Sequence, residues 1–272
     1  MATIPSTLPV TNQELQAVNE PGWRRGFANL LGNENRLWWG TRKWLIHLLL
    51  WLIVLNGLVL LIGLTDGQET NNPVPIYETL IQVFFQVGAF ATGIGVITAA
   101  QGAIVREKQL GTAAWILSKP VSRSAFVLAK FVAHAVSFLT LATLVPSAIF
   151  YGQSLLFAGR APELAQFLAG VGIAVLHTLF YLALTLMLGA LFDTRGPIGG
   201  IAMGVLFAGF LLPNLLPQAA VLAFPWMLKD LTVGLVLGSA LPAVWPIPVI
   251  ATALWTALFI GVALWRFGRE EF

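Results

Sequence analysis

Residues 106–126 read REKQLGTAAWILSKPVSRSAF, and they interrupt a chain that is otherwise apolar. The run before them, TLIQVFFQVGAFATGIGVITAAQGAI (79–104), and the run after them, VLAKFVAHAVSFLTLATLV (127–145), are both long enough to cross a bilayer. Between Arg106 and Arg123 stand five charges, Arg106, Glu107, Lys108, Lys119 and Arg123. Each Lys, Arg or Asp at mid-bilayer costs about 2.5–3.5 kcal/mol on insertion scales, so this stretch must lie outside the hydrocarbon.

Composition agrees. Of 272 residues 57% are hydrophobic and 10% charged, against about 25% charged in soluble domains. Six apolar segments follow, at 44–64, 79–104, 124–150, 164–192, 196–216 and 245–265. In lipid every backbone amide needs a partner within its own segment, so these runs must be helices. The expected fold is an all-α integral membrane protein with six transmembrane helices and one membrane domain, 23–272, behind a mobile cytoplasmic tail, 1–22. That tail, MATIPSTLPVTNQELQAVNEPG, is polar and has no signal-peptide core.

Orientation is read from the cations. Arg24, Arg25, Arg36, Arg42 and Lys43 precede the first span, and Arg106, Lys108, Lys119 and Arg123 lie between the second and third. Arg195 follows the fourth span and Arg266 and Arg269 the sixth, whereas only Arg160 and Lys229 fall on the other side. Both termini are therefore expected in the cytoplasm, with Lys130 snorkelling back to the same side.

Three segments outside the spans have their own grammar. Residues 23–43 place Trp23, Phe27, Leu30, Leu31, Leu37 and Trp38 on one face, the pattern of an amphipathic interfacial helix. Glu34 falls inside that apolar stripe, which calls for a partner: an adjacent arginine or the next cytoplasmic loop. Residues 217–244 are apolar but broken by Pro217, Pro225 and Pro242, with Lys229 and Asp230 between, and they fit short re-entrant or interfacial external helices better than a straight span. Within 105–123, Gly111 breaks the outgoing helix, Thr112 is placed to N-cap a helix of about two turns, and Pro120 ends it. Ser122 then caps the third span.

Chemistry is sparse. Cysteine is absent, the pattern H-E-x-x-H does not occur, and the only adjacent acids, Glu270 and Glu271, are at the tail. No catalytic residue, cofactor, metal or nucleic-acid partner is expected. No Asp or Glu lies deep in a span, which argues against an ion-driven carrier. Gln82 and Gln86 are one turn apart, as are His177 and Tyr181, and either pair could line a pathway or bond a neighbouring helix. Gly196, Gly200 and Gly204 recur every four residues, a spacing that lets helices approach closely within a subunit or between two.

The segment REKQLGTAAWILSKPVSRSAFVLAKF resembles the E-x-x-x-G-T … L-S-x-P-V-S-R … K segment of type 2 ABC transporter permeases, the six-helix membrane subunits of ATP-binding-cassette exporters. The interfacial helix, the broken segment before the last span and the tail WRFGREEF look like that family as well. The resemblance implies a permease in the cytoplasmic (inner) membrane of a prokaryote, dimeric with itself or with a paralogue. It implies a cytoplasmic coupling helix between spans 2 and 3 that docks in a separate ATPase subunit. Glu107, Gly111, Thr112, Leu117, Ser118, Pro120, Ser122 and Arg123 match its motif, with Trp115 and Ile116 as apolar contacts to the partner. The glycines of the fifth span would meet the partner subunit. The nucleotide-binding pattern G-x-x-x-x-G-K-[ST] is missing, since the chain has no Gly-Lys pair. The competing reading is a stand-alone carrier, channel or membrane scaffold.

Overall fold

A computed structural model describes residues 22–65 and 75–271, and among them every regular element is helical. A 3₁₀ turn, Gly22–Arg24, leads into α1 (Phe27–Trp39). Then come α2 (Lys43–Thr65), α3 (Ile76–Ala100), α4 (Val105–Gln109), α5 (Thr112–Leu117), α6 (Arg123–Ala158) and α7 (Leu164–Leu191). The chain ends with α8 (Arg195–Leu211), α9 (Gln218–Leu222), α10 (Leu228–Val236) and α11 (Pro246–Gly268). The expected tail falls almost wholly outside the described residues.

Among the described residues, five helical stretches are long and apolar enough to cross a membrane: α2, 76–109, α6, α7 and α11. Helix α7 is the axis of the bundle, packed by α3, α6, α8, α10 and α11. Its most apolar window is 61% buried and that of α6 67%, against 22% for both α2 and α11. The latter two therefore keep broad apolar faces turned away from the rest of the chain.

The segment expected as the fifth span, 196–216, forms a helix of 17 residues, α8, and a 3₁₀ turn, Leu212–Asn214. At 1.5 Å per residue α8 rises about 25 Å, short of a hydrocarbon core of about 30 Å. Helix α7 ends and α11 ends at the same pole of the bundle, so the chain must return between them, and it does so in two pieces. Helix α8 starts beside Gln101 and reaches the level of Phe90, whose ring meets Phe207 at 5.3 Å. The chain then folds back through α9, with the indole of Trp226 donating to the Val205 carbonyl (3.0 Å) and that of Trp255 to the Ala223 carbonyl (2.9 Å). Helix α10 resumes the climb along α7, from Leu228 against Ile173 to Val236 against Gly170. Prolines 217, 225 and 242 interrupt helical bonding at the bends. This is the broken segment expected for 217–244, folded into the bundle rather than laid on its end.

The third span outruns its expected end at Phe150 and continues to Ala158. Within this extension Ser154 is buried and Tyr151 and Gln153 are half-buried. Gln153 exchanges hydrogen bonds with Asn56 of α2, donating to its carbonyl (2.9 Å) and accepting from its Nδ2 (2.9 Å). Asn56 Nδ2 also donates to the Pro146 carbonyl at 3.0 Å. Both helices are locally π-helical at this clamp, over Leu52–Asn56 and Leu139–Leu144. Pro146 lacks an N–H and would clash with the preceding turn, and a widened turn just before it relieves both problems.

Candidate functional site

Among the described residues, the segments the sequence assigns to one side of the membrane meet at one pole of the bundle: 22–43, 101–123, 192–195 and 266–271. The 106–123 stretch is at its centre. Helix α4 leaves the second span, Gly111 turns the chain at φ +69°, a conformation that favours glycine, and α5 follows as six residues. Thr112 does not cap it as expected. The N-cap position falls on Gly111 without a side-chain bond, and the Thr112 hydroxyl donates back to the Glu107 carbonyl (3.3 Å), tying α5 to α4. Ser122 behaves as expected, its Oγ accepting from the Ala125 amide at 2.9 Å to cap α6.

Helix α1 supplies the first brace. The expected 23–43 helix is broken at Gly26 and again at 40–42, and its inward face is narrow. Leu30, Glu34 and Trp38 turn toward the bundle, while Trp23 and Leu37 stay exposed. Glu34 has the partner its place in the apolar stripe demanded. Its Oε1 lies 2.7 Å from Lys130 Nζ, and the same ammonium, on a residue only 2% exposed, also bonds Glu107 Oε1. One buried cation thus joins α1, α4 and α6. Trp38 closes the cluster from below, edge-on to His134 (5.5 Å) and Phe138 (5.5 Å). Gly26, at φ +76°, lets the chain pass Val121 so closely that an added Cβ would lie 2.3 Å from its Cγ1. Next to it the Ser122 amide donates to the Arg25 carbonyl (2.9 Å) and the Ser122 hydroxyl to that of Trp23 (3.1 Å).

The second brace comes from the other side. Lys108 Nζ bridges Asp193 (2.6 Å) in the α7–α8 link and Glu270 (2.8 Å) in the tail, and Arg266 holds the other oxygen of Glu270 at 2.7 Å. Gln109 Nε2 donates to the Asp193 carbonyl at 2.7 Å. Arg123 donates to the carbonyls of Gly268 (2.9 Å) and Glu270 (2.6 Å).

The residues expected to meet a partner therefore divide. Glu107, Ser122 and Arg123 are spent inside the chain as ties. Ile116 and Leu117 are partly buried against the core. What remains facing outward is Trp115, 66% exposed with Lys119 Nζ 5.1 Å from its ring, together with Leu110, Gly111, Thr112, Ser118 and Pro120. The tie through Asp193 and Glu270 was missed in sequence, because cations outnumber acids at this pole and any acid there had several possible partners.

The expected pathway residues also divide. His177 and Tyr181 meet with ring centroids 4.9 Å apart and line a cavity of about 20 Å³ shared with Phe90, Leu206 and Lys229. On α3, Gln82 is exposed and Gln86 half-buried, and neither lines that cavity. Gly196, Gly200 and Gly204 look into open space, with nothing among the described residues within 4 Å of an added Cβ.

Residues 64–272 match the profile of a family described as protein of unknown function, DUF2705. The chain belongs to that family. It is also 27% identical over 251 residues to the probable ABC transporter permease protein NosY of Pseudomonas aeruginosa, covering 82% of this chain and 87% of that one.

Proposed function

We propose that this member of the family is the membrane-spanning permease subunit of an ABC transporter, an exporter of the type 2 kind, driven by a separate ATPase that docks on α5. The observation that carries this reading is the contrast within 106–123. A short helix is braced from both sides by buried or half-buried ion pairs, and its largest side chain, Trp115, is left facing out. A rigid knob of this kind transmits a push to α3 and α6, between which it is held. Similarity to a permease over most of the chain supports the same reading. ATP hydrolysis belongs to the partner, since the chain carries no nucleotide-binding pattern.

The braced pole is cytoplasmic, with both termini, in the inner membrane of a prokaryote. Counting α8 and α10 as one broken crossing gives six. Two copies, or this chain and a paralogue, meet through the open glycine face of α8, where small residues let helices approach. The pathway runs between them past Gln82 and Gln86. Cavities of about 30 and 20 Å³ inside one copy admit hardly more than a water each.

The test is purification of the tagged chain from its host membrane, with and without Trp115→Ala. A nucleotide-binding ATPase that copurifies with the native chain and is lost from the variant supports docking at α5. A stand-alone carrier or scaffold would bring down no such ATPase, or one whose retention ignores Trp115.

A further inference from the structure

Beside the braces is a cavity of about 410 Å³, within the range of about 300–1,000 Å³ usual for ligand pockets. It opens between α1, the start of α2, the end of α3 and the start of α8. Two carboxylates in its wall, Glu34 and Glu107, are already held by Lys130. Three further cations line it, Lys43, Arg106 and Arg195, each from a different part of the chain. Among the described residues none of the three has an ion pair or a side-chain hydrogen bond. Four cations against two carboxylates leave the cavity with a double positive excess. His47 adds a buried Nδ1 with no hydrogen-bond partner among the described residues, and Gln101 adds an amide. The guanidinium of Arg195 lies over Gly102, where an added Cβ would come within 3.3 Å of its Cζ.

The three cations are partly solvated but come from separate elements with no counter-charge of their own, an arrangement that favours an anion among them. Here they surround a concave, partly apolar space at the height of Trp38, where α1 lies along the bundle. We infer that this cavity is a binding site for a phosphate group, either on the headgroup of an anionic lipid or free. A phosphate accepts bidentately from Arg106 and Arg195 and takes Lys43 as a point charge. An acyl chain would leave past the exposed apolar face of α2, where Leu45, Ile46 and Leu49 are exposed. The site would then report the presence of phosphate or lipid directly to the Glu34–Lys130–Glu107 brace that shares its wall.

The test uses the full chain. It is purified and exposed to phosphatidylcholine nanodiscs with or without phosphatidic acid, and separately to inorganic phosphate in detergent, with retained lipid read by native mass spectrometry and protection by thermal unfolding. The cavity variant is Lys43→Gln with Arg106→Gln and Arg195→Gln. The control, Arg24→Gln with Arg36→Gln and Arg42→Gln, removes equal charge outside the cavity. With its charge-assisted contacts to the phosphate removed, the cavity variant should lose roughly a hundredfold in phosphatidic acid affinity, whereas the control, whose arginines do not line the cavity, should lose clearly less. Inorganic phosphate that protects the native chain and not the cavity variant identifies the free ion as the ligand. Should the triple variant fail to fold, Arg195→Glu alone must show the same loss in weaker form. Equal losses in cavity variant and control, or no loss and no phosphate protection in either, overturn the site.

Discussion

The two halves of the 106–123 stretch use their residues in opposite ways. Its ends are ionic and committed inward: Glu107 to Lys130, Lys108 to Asp193 and Glu270, Arg123 to the tail carbonyls. Its middle is apolar, with Ala113, Ile116 and Leu117 packed against the bundle and Trp115 left uncommitted. In a soluble protein one expects the reverse, with charges solvated and tryptophan buried. The inversion teaches that here charge does the work of structure and leaves the aromatic group free for the docking proposed above.

The sharpest way to break the contrast is to remove the central cation. Lys130→Met leaves Glu34 and Glu107 facing each other with no counter-charge, and breaking a buried pair in this way costs about 3–5 kcal/mol. A large fall in thermal midpoint in detergent is expected, relieved in part by adding Glu34→Gln and Glu107→Gln. Trp115→Ala should do the opposite, leaving stability within about 0.5 kcal/mol while weakening ATPase association by about 2 kcal/mol, the threshold of an interface hot spot. Equal stability loss in both variants would erase the distinction between ends and middle.

Smaller effects sharpen it. Asn56→Leu removes the clamp between α2 and α6, worth about 1–2 kcal/mol for hydrogen bonds between membrane helices, and should lower the thermal midpoint without touching ATPase binding. Ser122→Ala removes the cap of α6 and a tie to α1, costing about 1 kcal/mol by the same measurement. Gly200→Leu should leave the monomer's stability within about 0.5 kcal/mol but shift the assembly toward single copies in native mass spectrometry.

The helices long enough to cross were legible because lipid leaves the backbone no alternative. Helix α6 runs past the expected end at 150 with Gln153 held by Asn56, a partner 97 residues away that the sequence does not bring near. The break of α8 was legible only as a cluster of prolines, which says that a helix stops and not where the chain goes next. Glu34 announced a partner by standing in an apolar stripe, but the partner is Lys130 of α6, neither an adjacent arginine nor a residue of the next loop. Which acid pairs with Lys108 was not legible, since ion pairing depends on distances that only the packed bundle defines. For the same reason the motif residues read as one contact surface, and folding sorts them into ties and tip.

The central claim is that α5 presents Trp115 to an ATPase from a braced platform. A photo-crosslinking amino acid at position 115, and separately at 116, in cells expressing the whole transporter tests it directly. Position 115 should crosslink to a nucleotide-binding ATPase, identified by its peptides, and crosslinks from 116 should stay within the chain. No ATPase captured from 115, or one captured equally from 116, would contradict it.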